Sequence, residues 1–229
     1  MNPFKKTIAL GACLVALACG PALAQDYNTV RVGFYAIFYH VRADDLSGPF
    51  TPPGLNANVN NVITPYFAYL RRVTSSLQVE FAAGLPPETE AVGKGPNTLG
   101  SVPYNGQVLA HVTWLSPSML LDYVFFDESR AWRPYVGAGF NFTHFYQREV
   151  TPAGQAVLGG PTKVSLSNSF GPAGTIGMSY RPKEHWQVIA SLNYAKVSSD
   201  LEANTEGVIR KSHVDFRPGA IVFAFGYQF

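Results

Sequence analysis

The last ten residues of the chain, 220–229, alternate large apolar side chains with small or polar ones. Successive side chains of a strand face opposite sides, so a strand here would collect five large side chains on one face: Ile221, Phe223, Phe225, Tyr227 and Phe229. Such a face requires an apolar partner, which a soluble core or a lipid bilayer could supply. A final strand that ends on an aromatic residue is typical of bacterial outer-membrane barrels, in which one face of each strand meets lipid and the other meets a lumen.

The N-terminus has the composition of a secretory signal peptide. Lys5 and Lys6 precede an apolar run over residues 7–18, and small residues follow. This order of charged, apolar and small segments is typical of a leader that is removed on export. We therefore predict that residues 1–24 are cleaved and that residues 25–229 form a single mature domain.

The mature chain has neither the charge nor the cysteines that several functions require. The leader contains two of the 17 basic residues and none of the 15 acidic ones, so the mature segment carries 15 of each. A neutral chain without a basic stripe gives no basis for a nucleic-acid partner. Both cysteines, Cys13 and Cys19, lie in the leader, which excludes disulfides from the mature protein. With no close-spaced His pair either, we expect no metal site and no cofactor.

Apolar residues alternate with small or polar ones, with the two-residue period of a strand, along the whole mature chain. After the leader there is no run of about 18 apolar residues that could span a membrane as a helix. The inner and outer faces are distinct in most segments but ambiguous in the second, which is apolar on both faces. Eight segments are predicted as strands, at about 30–41, 59–70, 77–83, 119–126, 135–143, 173–180, 186–194 and 213–229.

The connections between these strands fall into two classes that alternate strictly. Short polar links lie near residues 71–74, 127–130 and 181–184. Long links rich in Gly, Pro and Asn lie at about 43–58, 86–106, 150–163 and 198–212. Three short turns and four long loops are the pattern of an eight-stranded antiparallel up-and-down transmembrane β-barrel with both termini in the periplasm and the long loops outside the cell. A β-sandwich gives no reason for this alternation.

The fifth strand carries a motif that resembles a known family. The segment RPYVGAG, followed by Asn141 and Phe142, is similar to the PYVGAG strand of the OmpW family of small outer-membrane barrels, which includes AlkL. Residues 111–118, 169–180 and 223–229 also resemble segments of that family, although Ser116 stands at a position usually held by Pro and Gln228 at one usually held by Arg. The motif residues are Arg133, Pro134, Tyr135, Gly137 and Gly139.

The resemblance implies a barrel in the bacterial outer membrane with a largely hydrophobic lumen that passes small hydrophobic molecules inward. The inward face predicted from strand parity is apolar as well, unlike the water-filled lumen of a porin. An alternative is that these side chains simply fill a barrel whose eight strands leave a narrow interior. The inward residues are Tyr35, Ile37, Tyr39, Leu120, Val124, Phe126, Phe145, Ile189 and Val222.

Three charged residues share the predicted interior: Arg31, Glu80 and Asp122. Each lies toward the periplasmic end of its strand. Because a charge in a low-dielectric interior is costly unless it is paired, Arg31 is expected to pair with Glu80 or Asp122 and to form a polar plug across the lower lumen. The alternative is that one or more of them contacts periplasmic water at the rim.

The sequence therefore predicts an outer-membrane barrel for the uptake of small hydrophobic molecules, with lateral release into the membrane. A structural or adhesive barrel of the OmpX or OmpA-domain kind, with a filled interior, is the main alternative, and a soluble lipocalin-like carrier is disfavoured by the outward apolar rows. No Ser, His and acid set can be assembled from strand parity, so no catalytic residue is predicted. The expected partners are outer-membrane lipid, small hydrophobic molecules and, through Phe229, the barrel-assembly machinery.

Overall fold

The computed structural model describes residues 28–99 and 102–229, so the predicted signal peptide, residues 1–24, lies outside the described residues. Among the described residues, no helix is long and apolar enough to cross a membrane. The elements follow one another as β1 (Asn28–Tyr39), β2 (Arg42–Ala43), β3 (Asn56–Val59), β4 (Val62–Arg72), β5 (Leu77–Gly84), β6 (Glu88–Lys94), β7 (Val108–Leu115), β8 (Ser118–Val124), β9 (Trp132–Val150), α1 (Pro152–Leu158), β10 (Thr162–Leu166), β11 (Ser169–Lys183), β12 (Trp186–Ala195), β13 (Ser198–Thr205), β14 (Val208–Asp215) and β15 (Pro218–Gln228).

Eight of these strands close into an antiparallel barrel, which confirms the predicted fold class. The order around the barrel is β1, β4, β5, β8, β9, β11, β12 and β15. The first and last strands complete the circle, because β1 pairs with β15 from Thr29↔Gln228 to Tyr39↔Pro218. Every strand of the barrel therefore has a hydrogen-bonded neighbour on each side, and no edge is left open.

Strand alternation sorts the side chains between the outside and the lumen. Phe34, Phe140 and Phe223 point outward and are 63%, 58% and 65% exposed, whereas Ile189 and Val222 point inward and are buried. The sequence does not distinguish the two faces of β4. In the structure, Ile63 and the other odd-numbered apolar residues face outward, and Tyr66, Ala68 and Leu70 face inward. The outward side chains form a continuous apolar belt.

The short-turn end of the barrel is the end at which β4–β5, β8–β9 and β11–β12 are connected. Local hydrogen bonds stabilise two of these turns: Thr74 Oγ1 accepts from the backbone N–H of Leu77 at 3.0 Å, and Asp127 Oδ1 accepts from the backbone N–H of Ser129 at 3.0 Å. One predicted position is wrong here. Phe126 was expected in the lumen, but its φ of 64° takes the chain out of the strand conformation, and its side chain is exposed at the turn.

The long-loop end carries a folded head, built mainly from the connections that were predicted as long loops and whose conformation the sequence leaves open. The head consists of β2, β3, β6, β7, β10, β13, β14, α1 and the upper half of β9. β9 is 19 residues long and continues beyond the barrel to pair with β7 from Leu115↔His144 to Ala110↔Val150. The last predicted strand is also shorter than expected: Arg217 has a φ of 45°, so β15 begins at Pro218, and His213 belongs to β14 of the head.

The head has its own apolar core, which explains why it is ordered. Thr151 caps α1 by accepting a hydrogen bond from Gly154 N at 2.9 Å, and the helix ends at Gly159, whose φ of 91° suits glycine. Val157 on this helix is fully buried. It packs in a cluster with four residues from the loops and β7: Leu46, Leu55, Tyr104 and Leu109.

Candidate functional site: a lumen divided by a polar layer

A cavity of about 170 Å³ lies in the half of the lumen near the long-loop end. Five of the predicted lumen residues line it: Tyr35, Ile37, Tyr39, Leu120 and Phe145. Three others, Val124, Ile189 and Val222, lie nearer the short-turn end, where they are buried in a packed cluster with Tyr66 and Tyr135. We call this space the lumen cavity.

The head completes the upper wall of the lumen cavity with residues that sequence analysis did not assign to it. Phe145 packs against Phe216 with ring centroids 5.4 Å apart, and Tyr39 meets Trp114 edge-to-face at 6.3 Å. Alternation in residues 108–115 and 198–212 was the available signal, but residues 108–115 were not assigned to a strand and residues 198–212 were predicted as a long loop. The additional apolar lining residues include Val112, Trp114, Val197, Leu201, Val214 and Phe216.

Four polar groups of this wall hydrogen-bond to one another. The Asn141 side-chain amide donates to Ser118 Oγ at 3.0 Å, Thr143 Oγ1 donates to Asn141 Oδ1 at 2.9 Å, and the Ser116 and Thr143 hydroxyls lie 2.6 Å apart. Burial raises the pKa of Tyr104, in the head, to about 12, so this ring of the lining stays neutral. The lumen cavity therefore presents an uncharged surface.

A polar layer closes the lumen below this cavity. The layer consists of Arg31, Glu80, Asp122, Gln78 and Tyr66. Arg31 Nη1 lies 2.9 Å from Glu80 Oε2, the Tyr66 hydroxyl donates to Glu80 Oε1 at 3.1 Å, and Gln78 Nε2 donates to Asp122 Oδ2 at 3.0 Å. Arg31, Glu80 and Asp122 are 2%, 3% and 0% exposed. The three charges are thus inside the barrel rather than at its rim.

Aromatic and aliphatic side chains pack around the polar layer and leave no wide passage beside it. The rings of Tyr35 and Tyr66 meet edge-to-face with centroids 4.7 Å apart, and the Arg31 guanidinium lies over the Tyr135 ring at 5.2 Å. Leu70, Ile189 and several smaller residues fill the remaining space. A second, separate cavity of about 20 Å³ lies below this packing, at the short-turn end.

The geometry gives each motif residue of β9 a physical role. Tyr135 crosses the lumen because Gly177 opposite it has no side chain; a Cβ there would lie 2.5 Å from the Tyr135 ring. A Cβ at Gly137 would lie 2.0 Å from Asp122 Oδ1, and one at Gly139 would lie 1.9 Å from the Met119 carbonyl oxygen. The glycines therefore leave space for the polar layer and for close strand pairing.

The first two motif residues connect β9 to the neighbouring turns. The Pro134 carbonyl accepts from Phe125 N at 2.9 Å, and Arg133 donates to the Ser75 and Phe126 carbonyls.

The closed eight-stranded barrel, its apolar outer belt and its folded loop end define the class of small bacterial outer-membrane barrels. The family model described as OmpW matches residues 29–229. The chain belongs to the OmpW family, as its motif predicted, and it is a protein of the outer membrane.

Three comparisons place the chain among known proteins. Outer membrane protein W of Vibrio cholerae is 25% identical over 227 residues, which cover 98% of this chain and 100% of that protein. The dibenzothiophene metabolism operon protein PahQ of Pseudomonas aeruginosa is also 25% identical, over 98% of this chain and 99% of that protein. The crystal structure of outer membrane protein OprG from Pseudomonas aeruginosa has the same fold, with a TM-score of 0.79 and 23% identity over 88% of this chain and 95% of that chain.

Removing the carboxylates of the polar layer should open the lumen to ions. We expect the double substitution Glu80→Ala and Asp122→Ala to raise single-channel conductance, because it removes two side chains from the layer that separates the two cavities and leaves Arg31 to draw in water. The matched control is Asp127→Ala with Glu128→Ala, which removes two exposed carboxylates from a turn at the same end. Equal conductance in the two double variants would contradict a closing role for the polar layer.

Proposed function

We propose that the protein takes up small hydrophobic molecules through the lumen cavity, without catalysing a reaction on them. The observation that supports this proposal most strongly is an uncharged, largely apolar cavity of about 170 Å³ inside the barrel. Apolar cavities of about 150 Å³ stay dry and bind benzene-sized ligands in other proteins. The relative named for a dibenzothiophene metabolism operon agrees with this ligand class, since dibenzothiophene is an uncharged aromatic molecule.

A hydrophobic solute in this cavity needs an exit other than the short-turn end. Straight passage would bring it through the polar layer, where it would separate buried charges from their partners at a cost of several kcal/mol. We therefore propose that the solute leaves sideways, through the barrel wall, into the lipid of the outer membrane. The route also requires that the head faces the cell surface and that the apolar belt contacts lipid.

We propose in addition that the barrel-assembly machinery recognises Phe229.

The wall of the barrel has an interruption beside the lumen cavity, between the β5–β8 ladder and the β6–β7 ladder. β5 and β8 pair as far as Ala82↔Ser118, and pairing resumes between β6 and β7 at Glu88↔Thr113. Residues 83–87 and 114–117 lie between these rungs and have no ladder pair with each other. Prolines within this interval cannot donate a backbone hydrogen bond. Leu85, Pro87 and Ser116 line the cavity, so this interruption is the proposed exit.

A filled structural barrel is the competing function, and the dense packing around Tyr66, Tyr135 and Ile189 is the observation that favours it. That packing occupies the short-turn half of the lumen, whereas the lumen cavity lies in the other half. The two functions therefore differ in whether the lumen cavity must stay apolar and accessible.

Placing a charge in the lumen cavity should strongly reduce uptake. Ile37→Asp adds a carboxylate to the lining, and an unpaired polar group that a ligand must bury costs about 1–3 kcal/mol or more. Since 1.4 kcal/mol corresponds to a factor of ten, uptake of an apolar tracer by intact cells should fall roughly 10- to 100-fold. Ile37→Leu is the control and should retain uptake. Normal uptake by correctly folded Ile37→Asp protein would instead support the filled structural barrel.

Bridging the interrupted wall should block uptake reversibly. We expect a Leu85→Cys and Leu115→Cys pair, joined by a short cleavable bismaleimide, to lose uptake of the tracer and to regain it when a reductant cleaves the bridge. The control pair is Phe81→Cys with Met119→Cys, which also lies on the outer face but joins residues that are already paired. Equal uptake by the two bridged proteins would place the exit elsewhere.

A further inference from the structure

The cavity at the short-turn end has a different chemistry from the lumen cavity. It measures about 20 Å³ and is lined mainly by hydroxyl, amide and guanidinium groups. No Asp or Glu is among the described residues that line it, whereas four arginines are: Arg31, Arg72, Arg133 and Arg181. We call it the arginine cavity.

Arg133 is the buried cation of this cavity whose charge is least balanced by its contacts. Its side chain is almost fully buried, at 5% exposure. Its Nη2 donates to the carbonyl oxygens of Ser75 and Phe126 at 3.0 and 3.2 Å, but these acceptors are neutral. Its Nε is buried and has no hydrogen-bond partner. A buried cation that is hydrogen-bonded only to neutral groups is costly unless an anion accompanies it.

The charged groups around Arg133 do not supply that anion inside the cavity. Arg181 and Arg72 repel it, and Glu128 and Asp127 attract it. The two carboxylates belong to the exposed turn at residues 127–130, and Glu128 is already engaged in an ion pair with Arg72. They therefore lie at the mouth rather than among the lining groups.

The carboxylates of the polar layer already accept hydrogen bonds from other donors. Glu80 accepts from Arg31 and from the Tyr66 hydroxyl. Asp122 accepts from Gln78 through Oδ2, its Oδ1 has no hydrogen-bond partner, and it does not line the arginine cavity. The buried Nε of Arg31, like that of Arg133, has no hydrogen-bond partner. The arginine cavity is therefore lined by guanidinium groups, and no described carboxylate is among its lining residues.

We propose that the arginine cavity binds a phosphate group from the periplasmic side. A water-sized group needs about 10–15 Å³ by the same measure of volume, so the cavity accommodates one phosphate oxygen while the rest of the group lies in the mouth. Guanidinium donors suit phosphate oxygens because their hydrogen bonds are charge-assisted. The source is either free inorganic phosphate or a lipid headgroup. This site lies below the polar layer and does not depend on the proposed uptake of hydrophobic molecules.

The direct test observes the Arg133 side chain by NMR in maltoside micelles, which contain no phosphate. Inorganic phosphate should shift the Arg133 Nε–H signal in a saturable way at constant ionic strength, with sodium chloride as the control. If the source is a lipid, phosphatidylglycerol added to the micelles should saturate the shift, and free phosphate should not. A signal that responds to neither phosphate source more than to chloride would overturn the proposal.

A second variant tests the site without removing Arg133. Ser179 lines the arginine cavity, and its hydroxyl donates to the Arg133 carbonyl oxygen at 3.1 Å. Ser179→Asp places a tethered carboxylate where the phosphate oxygen would bind, so it should raise the urea midpoint of unfolding relative to the isosteric Ser179→Asn and remove the phosphate response. The difference between the two variants should disappear when Arg133→Gln is added. A lower midpoint for Ser179→Asp than for Ser179→Asn would also overturn the proposal.

Discussion

Closure of the barrel by the pairing of β1 with β15 is the constraint on which the rest of the structure depends. In lipid, an unpaired backbone group costs several kcal/mol, so a membrane-spanning sheet must have no edge. Closing eight strands fixes the width of the lumen at a size that side chains can fill or that one small ligand can occupy. Each inward residue then either takes part in filling the lumen or borders the space that remains.

The chain uses both options in different halves of the same lumen. Toward the short turns, Tyr66, Tyr135 and Ile189 pack around the Arg31–Glu80 ion pair and leave little space. Toward the long loops, the inward side chains leave the lumen cavity open, and the head extends its apolar wall beyond the barrel. The polar layer marks the boundary, and it separates an apolar compartment from the arginine cavity. One barrel thus offers two environments that favour opposite kinds of ligand.

Local patterns predict the barrel well because strand parity is a local property. The inward positions of Ile37, Leu120 and Asp122 follow from alternation alone. The choice between Glu80 and Asp122 as partner of Arg31 does not, since it depends on the register across β1, β4 and β5, which the sequence leaves open. Phe126 leaves the lumen because of a single left-handed backbone conformation, and strand parity carries no sign of it.

The head was missed for a different reason. Most of its strands lie in segments predicted as long loops, and several pair with strands that are not their neighbours in the chain. β7 is ordered because β9 continues past the barrel to Val150 and pairs with it. Long-range pairing of this kind overrides local propensity. Val112 and Trp114, which the head adds to the lumen cavity, lie outside the predicted strands. Val214 and Phe216 lie in the predicted last strand with the inward parity of Val222.

Binding of apolar molecules in the lumen cavity can be measured through the fluorescence of Trp114. Trp114 lines the cavity, whereas Trp132 and Trp186, the other two tryptophans, are exposed on the outer surface. In a variant with Trp132→Phe and Trp186→Phe, bromobenzene should quench the remaining fluorescence in a saturable way. In a variant that retains only Trp132, quenching should follow partition into the detergent and should not saturate. Identical, non-saturable quenching in the two variants would contradict the account.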